Sequence, residues 1–308
     1  QQQRAVNLGS WLVPERWMFA ESSMLWKGTE AADLYSLCLE LGHEEATQRM
    51  AAHWESWFVE SDFERMAQNG VNHIRIPMGY WDVIETYPYV FGGASYIDKG
   101  IQLAGKYGMT VLLDLHGAPG SQNGQDHSGQ SGSILWPQPE NVALTVDVLS
   151  MMAARWAAID NVWGFELLNE PGADISHDLL TDFYRDAYAV IREYSDDTHI
   201  VINSLYGPHD WTASVFPEPE YRNAVLDLHL YVVWSGYSTP EQVFQGALEF
   251  GNEIRALTPY YPVVVGEMSL ATGLEGYTAE MRQQFADSEF ASFTENAFGF
   301  IFWSDKLE

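Results

Sequence analysis

Residues 163–172 read WGFELLNEPG, a mostly apolar run that stops in Asn169, Glu170 and Pro171 before Gly172. Phe165 to Leu168 has the character of a strand buried in a parallel sheet. Pro171 cannot donate a ladder hydrogen bond, so the strand is stopped with an amide and a carboxyl at its carboxyl end. What that end serves depends on how often the chain repeats the arrangement.

It repeats it along its whole length. Short runs rich in β-branched residues, AVNLG (5–9), HIRIP (73–77), TVLLDLH (110–116), GFELLNE (164–170), HIVINSL (199–205), AVLDLHLY (224–231), VVVGEMS (263–269) and GFIFWS (299–304), alternate with amphipathic stretches such as 96–108, 141–159, 179–194, 240–257 and 280–296. Eight strands with helices between them in 308 residues predict a (β/α)8 TIM barrel. No GxGxxG follows an early strand, which removes the usual support for a dinucleotide fold. With no linker, low-complexity tract or short repeat, residues 1–308 read as a single domain. Two irregularities stand out. Residues 14–58 form an elaborated segment between the first and second strands, too long for a plain crossover, and no obvious eighth helix follows the eighth strand.

Composition excludes several functions. The formal charge is −28, from 43 Asp and Glu against 15 Lys and Arg, and such a field repels nucleic acid and anionic lipid. No run of some eighteen apolar residues suggests a membrane span. The single cysteine, Cys38, allows no intrachain disulfide and lies among apolar neighbours, as a buried inert thiol does. The start, QQQRAVNLGSW, has no signal core and reads as a mature form if the protein is exported. A monomer is the default expectation.

In a TIM barrel the catalytic groups gather where the strands end. Arg75 is expected there on strand two, Asp114 and His116 on strand three, Asn169 and Glu170 on strand four, His229 and Tyr231 on strand six, Glu267 on strand seven and Trp303 on strand eight. Two glutamates on strands four and seven can face each other across a cleft, as glycoside hydrolysis requires: one carboxylic acid protonates the leaving oxygen and one carboxylate attacks the sugar. Arg75 and Tyr231 are then placed to hold Glu267 ionised, Asn169 to bind a sugar 2-hydroxyl, and Trp303 to offer a flat face to a pyranose ring. His116 with Asp114 and His229 supplies metal-ligand types, but neither HExxH nor a close ligand spacing accompanies them, so hydrogen bonding is expected and no metal or organic cofactor is required. Asn123 and Asp126, on the Gly-rich loop after strand three, are expected to shape the cleft. His73 and His209 read as bland. Trp81 and Trp211 are open between packing and cleft.

The stretches VNLGSWLVPERW, HIRIPMGYW, VLLDLHGAPGSQNGQDHSG, FELLNEP, HLYVVWSG, VVVGEMS and FGFIFWS, in that order, resemble glycoside hydrolase family 5, and within it the fungal exo-β-1,3-glucanase group. The resemblance implies that Glu170 is the acid/base and Glu267 the nucleophile of a retaining double displacement. It implies that Arg75, His116, Asn169, His229, Tyr231 and Trp303 surround the sugar being cleaved, and that Glu15 binds the terminal glucose. The aromatic pair that clamps the next sugar would fall on Trp136 and Trp234. Ser10 stands where the group carries glycine, Arg16 brings a cation toward the rim, and the loop after strand seven is short. The implied activity is an extracellular exo-β-1,3-glucanase acting on β-glucan. The alternatives are the same chemistry on a β-1,6-glucan, a rutinoside-type diglycoside or a glycolipid, transglycosylation, or an inactive sugar-binding barrel.

Overall fold

A computed structural model describes residues 2–203, 216 and 220–308. Eight parallel strands close into a barrel in sequence order: β1 (Gln3–Asn7), β2 (His73–Gly79), β3 (Thr110–Gly117), β4 (Val162–Glu166), β5 (His199–Asn203), β6 (Ala224–Leu230), β7 (Val263–Met268) and β8 (Gly299–Phe302), which pairs back to β1. The helices among the described residues are α1 (Leu34–Trp57), α2 (Glu60–Gln68), α3 (Ala94–Lys106), α4 (Pro139–Trp156), α5 (His177–Arg192), α6 (Pro240–Leu257) and α7 (Ala279–Asn296). The expected (β/α)8 barrel is the fold observed. Residues 303–308, after β8, are not helical. Ser204, Leu205, His209 and Trp211 lie outside the described residues.

Strand alternation explains where polar groups enter the barrel. Ala5, Leu112, Val201, Val225, Val264 and Ile301 form one apolar cluster of their own. Side chains two positions on face the same way, and there the chain carries Asn7, Asp114, Asn203, Asp227 and Trp303. The barrel is therefore oily toward the amino ends of its strands and ionisable toward the carboxyl ends. A much larger cluster holds most of the remaining core, including Trp11, Trp26, Trp54, Trp81 and Trp156, and a small third one gathers Val232, Val243, Ala247 and Phe285.

Several strand limits differ from the sequence reading, and two of these, with one shift in register, bear on the polar end of the barrel. β2 does not end at Arg75, which is its third residue. β4 ends at Glu166, so Asn169 and Glu170 lie beyond the strand. The backbone there still hydrogen-bonds to the sheet: Leu167 N–H donates to the carbonyl of Val201 at 3.0 Å and Asn169 N–H to that of Leu115 at 3.0 Å. Switching from the β5 side to the β3 side within three residues breaks the ladder, and Glu170 takes φ 42°. The third feature is a shift in register between β6 and β7. Leu228 pairs with Val265 but His229 pairs with Glu267, leaving Gly266 as an extra residue. That bulge turns Glu267 inward, out of step with the alternation. Only glycine fits there, because a Cβ on Gly266 would stand 2.1 Å from Oδ2 of Asp227.

The elaborated segment after β1 is helical, with a break at Gly42 (φ 73°) inside α1. Asp33 caps α1 through Ser36 at 2.8 Å and also accepts from Ser131 N–H at 2.7 Å, tying the segment to the loop after β3. Trp81 is settled as packing, stacked on Tyr89 at 4.0 Å, and His73 is buried against Thr110 and Trp163.

On α7, Glu289 is fully buried and neither carboxyl oxygen has a hydrogen-bond partner among the described residues. Burial pushes its carboxyl up to about 9, against about 4.3 in an unfolded chain. The folded state then binds the extra proton, so this residue's contribution is intact below the unfolded value and is lost as pH rises toward 9. Glu289→Gln is expected to flatten that slope and to stabilise the protein at pH 8 by about 1–3 kcal/mol, measured by urea unfolding at several pH values.

Candidate active site

Arg75 organises the carboxyl end of the barrel. It is fully buried on β2, and a guanidinium so placed must be paired. Its Nε and Nη2 donate to the two oxygens of Glu166 at 2.7 and 3.0 Å, a bidentate contact. Nη1 donates to Asn7 and to Oε1 of Glu267, both at 3.0 Å, and Nη2 to Oδ1 of Asn169 at 2.8 Å, with Oδ2 of Asp114 at 3.1 Å. Burial alone would lower its affinity for the proton, but the charges of Asp114, Glu166 and Glu267 outweigh it and hold Arg75 firmly cationic.

Glu267 is held at both oxygens: Arg75 takes Oε1, and the Tyr231 hydroxyl donates to Oε2 at 2.8 Å. Across from it, Oε1 of Glu170 lies 2.6 Å from Nδ1 of His229, whose Nε2 lies 3.1 Å from Asp227. Asp227 is anchored by the Gly266 amide, which donates to it at 2.5 Å. Burial disfavours a charged His229, yet Glu267, Asp227 and the hydrogen bonds to Asp227 and Glu170 raise its proton affinity well above the ordinary imidazole value. The reciprocal holds for Glu170. Burial opposes its ionisation, but the hydrogen bond and charge of His229 prevail and hold its carboxyl down at about 2. His116 is the opposite case. Burial, then the charges of Arg75, His127 and His229, push it well below the ordinary value, so it is a neutral imidazole bonded to Asp114 at 2.7 Å.

A cavity of about 1440 Å³ opens over these groups, lined by Glu15, His116, Glu170, His229, Tyr231, Glu267 and Trp303. One carboxylate oxygen of Glu170 and one of Glu267 lie within 4.8 Å of each other. Trp303 lies parallel to the His116 ring at 5.5 Å, forming one wall. Glu15 is buried; its Oε2 accepts from Trp17 at 2.8 Å and its Oε1 has no partner among the described residues. Burial raises its carboxyl well above the usual range despite that hydrogen bond. The Ser10 hydroxyl accepts from Glu15 N–H at 3.0 Å, from a backbone at φ 58° that glycine adopts more readily.

Two expectations fail. Trp136 is fully buried, its indole N–H donating to Thr145 at 3.0 Å and its ring edge-on to Phe183, so it has no face to offer a ligand. Trp234, its supposed partner, is 82% exposed at the cavity mouth. Arg16 turns away from the rim to sit 5.2 Å over the Trp26 ring, where cation and π-face attract. The sequence reading also missed Glu166, Asp227, Asn7 and His127. The acids had a signal, since each is a carboxyl inside an apolar strand, in GFELL and VLDLHL.

Glu166, Asp227 and His229, and likewise Glu170, His229 and Glu267, bring ligand-type atoms within 4.8 Å of one another. Both sets share His229, and an imidazole held protonated by carboxylates on both nitrogens offers no lone pair to an ion.

A family model described as cellulase (glycosyl hydrolase family 5) matches residues 39–306. A glucan 1,3-beta-glucosidase of Blumeria graminis is 40% identical over 242 residues, 76% of this chain and 56% of that protein. Glucan 1,3-beta-glucosidase 1 of Schizosaccharomyces pombe is 36% identical over 282 residues, 86% of this chain and 68% of that protein. The chain thus spans between about half and two thirds of these relatives' length. The rutinosidase from Aspergillus niger superposes with TM-score 0.87 at 21% identity, covering 100% of this chain and 90% of that one, a likeness of fold.

Removing Arg75 would leave three carboxylates buried without their cation. Arg75→Met is expected to cost about 3–5 kcal/mol of stability, read from urea unfolding. A variant as stable as the parent would show that the cluster is not charge-balanced in this way.

Proposed function

This chain belongs to glycosyl hydrolase family 5, and on that premise we propose that residues 1–308 act as one catalytic unit, cleaving β-glucosidic bonds with retention as an exo-β-1,3-glucanase that releases glucose. The spacing of the two carboxylates carries the reading. One oxygen of each lying within 4.8 Å of the other supports a retaining pair, whose carboxyl groups stand about 5–5.5 Å apart, over an inverting pair at about 6.5–9.5 Å. Similarity to glucan 1,3-beta-glucosidases supports the substrate.

In the first step Glu267 attacks the anomeric carbon as the bond to the leaving oxygen breaks, and Glu170 passes to that oxygen the proton that in the resting site lies on the His229 side of their 2.6 Å contact. In the second, water attacks the same carbon, the ester to Glu267 breaks, and the water's proton passes to Glu170. Glu267 suits the nucleophile because Arg75 and Tyr231 fix both oxygens. The Asn169 Nδ2 is buried without a partner among the described residues and serves a sugar 2-hydroxyl. The free Oε1 of Glu15 serves a hydroxyl of the terminal glucose. Trp303 and His116 wall the ring, and Trp234 stacks on the next unit. The protein acts outside the cell, as its resemblance implies.

The mouth favours a second reading. Trp17, Trp234 and Leu307 line it and are exposed by 58%, 82% and 64%. Such a collar suits the same chemistry on a glucoside with a bulky apolar aglycone, such as a rutinoside-type diglycoside or a glycolipid. Rates on laminarin, pustulan and rutin separate these substrates, and the highest kcat/KM is expected on laminarin. Proton NMR should show β-glucose as the first product; α-glucose would falsify retention. Glu267→Ala should lose hydrolysis of aryl β-glucosides and yield α-glucosyl azide with azide. Glu170→Ala should slow cleavage of poor leaving groups by about 10²–10⁴-fold.

The pairing of His229 with Glu170 sets the pH dependence. The proton that Glu170 passes on rests on His229, whose proton affinity is raised well above the ordinary imidazole value, so its loss sets the alkaline limb. His229→Asn, which leaves only a carboxyl to hold that proton, is therefore expected to move the alkaline limb of kcat/KM for phenyl β-glucoside to lower pH; a limb that stays or rises contradicts the pairing.

A further inference from the structure

The two oxygens of Glu170 meet different neighbours. Oε1 lies 2.6 Å from Nδ1 of the buried His229, while Oε2 lies 3.4 Å from Nε2 of His127. With Oε1 occupied, Oε2 is the oxygen left to exchange a proton with a leaving group or with water. His127 lines the same cavity and belongs to the loop between β3 and α4, in a short 3₁₀ turn (Asp126–Ser128).

That loop is built around the segment carrying Glu170. The Gln122 side-chain amide donates to the Asn169 carbonyl at 2.9 Å, the Asn123 amide donates to the Glu170 carbonyl at 3.1 Å, and Gly172 N–H donates to the Gln122 carbonyl at 2.9 Å. The loop is itself braced. Ser121 and Ser128 hydroxyls meet at 2.6 Å, the Asp33 cap holds Ser131, and Tyr35 N–H donates to the Gly129 carbonyl at 2.9 Å. The His127 ring stands edge-on to His116 at 5.6 Å, and His116 in turn lies on Trp303. An imidazole on a braced loop, beside the oxygen that His229 does not engage, on a carboxyl whose backbone leaves the sheet at φ 42°, restrains a group that the strand does not.

From this geometry, and resting on the acid/base reading of Glu170, we infer that His127 is a positioning residue for that carboxyl, holding its cavity-side oxygen where it takes the proton of the attacking water. The titratable groups that share the cavity with it are Asp126 of its own turn, His116 of β3, Glu170 beyond β4, His229 of β6, Glu267 of β7 and Glu15.

The test uses 2,4-dinitrophenyl β-glucoside, whose leaving group needs no proton, so that attack of water on the glycosyl-enzyme limits kcat. His127→Leu is expected to lower kcat roughly tenfold, part of the ~10²–10⁴ that a general base supplies, and to leave kcat/KM within about twofold. Azide, which attacks without a base, should restore kcat and give β-glucosyl azide. His127→Gln, which keeps a donor, should recover most of the loss. Unchanged kinetics, equal losses in kcat and kcat/KM, or no response to azide would overturn the inference. Glu170→Ala run alongside separates the two ideas: without azide reactivation there, the acid/base reading itself falls. If Glu170→Ala is reactivated and His127→Leu is not, only the role of His127 is lost.

Discussion

The site depends on the burial of one guanidinium inside the barrel. Arg75 engages Asp114, Glu166, Glu267, Asn7 and Asn169 at once. Carboxylates crowd out one another's charge unless a cation stands among them. The planar fork of arginine reaches several acceptors in fixed directions, which a lysine ammonium cannot reproduce. A second cation, His229, balances Asp227, Glu170 and Glu267 from the other side. Between them the two positive groups allow five acids to share one end of the barrel.

The two glutamates are placed by different backbone devices. Glu267 is on a strand and faces inward only because the bulge at Gly266 breaks the alternation. The same glycine amide anchors Asp227, which orients His229, which touches Glu170. One irregular residue therefore links both carboxyls. Glu170 sits four residues past the end of β4, on backbone secured by side chains of the loop after β3. The acid's position thus depends on a loop whose bracing reaches back to Asp33 at the start of α1, giving the elaborated segment between β1 and β2 a structural part in the site.

The fold and the pair of glutamates proposed to react were legible in the chain. Apolar runs ending in Asn169–Glu170, in Glu267 and in Asp114–His116 repeat at βα spacing, and only a barrel gathers so many strand ends at one face. The wrong expectations share a cause. Trp136 and Arg16 are near the cleft in sequence, and whether an aromatic or a cation points into a cavity or into the core is a matter of a single rotamer and of what packs behind it. Trp136 found Thr145 and Phe183 behind it; Arg16 found Trp26.

Local pattern alone determined the number and order of strands, the oily base of the barrel and the residues at its polar end, because strand alternation and apolar periodicity are properties of neighbouring residues. Pairwise distance belongs to the closed barrel. The separation of Glu170 from Glu267, the shared grip of Arg75 and the approach of His127 to Oε2 join residues up to 192 positions apart. Such contacts are set by register, bulge and loop packing, and no stretch of sequence carries them by itself.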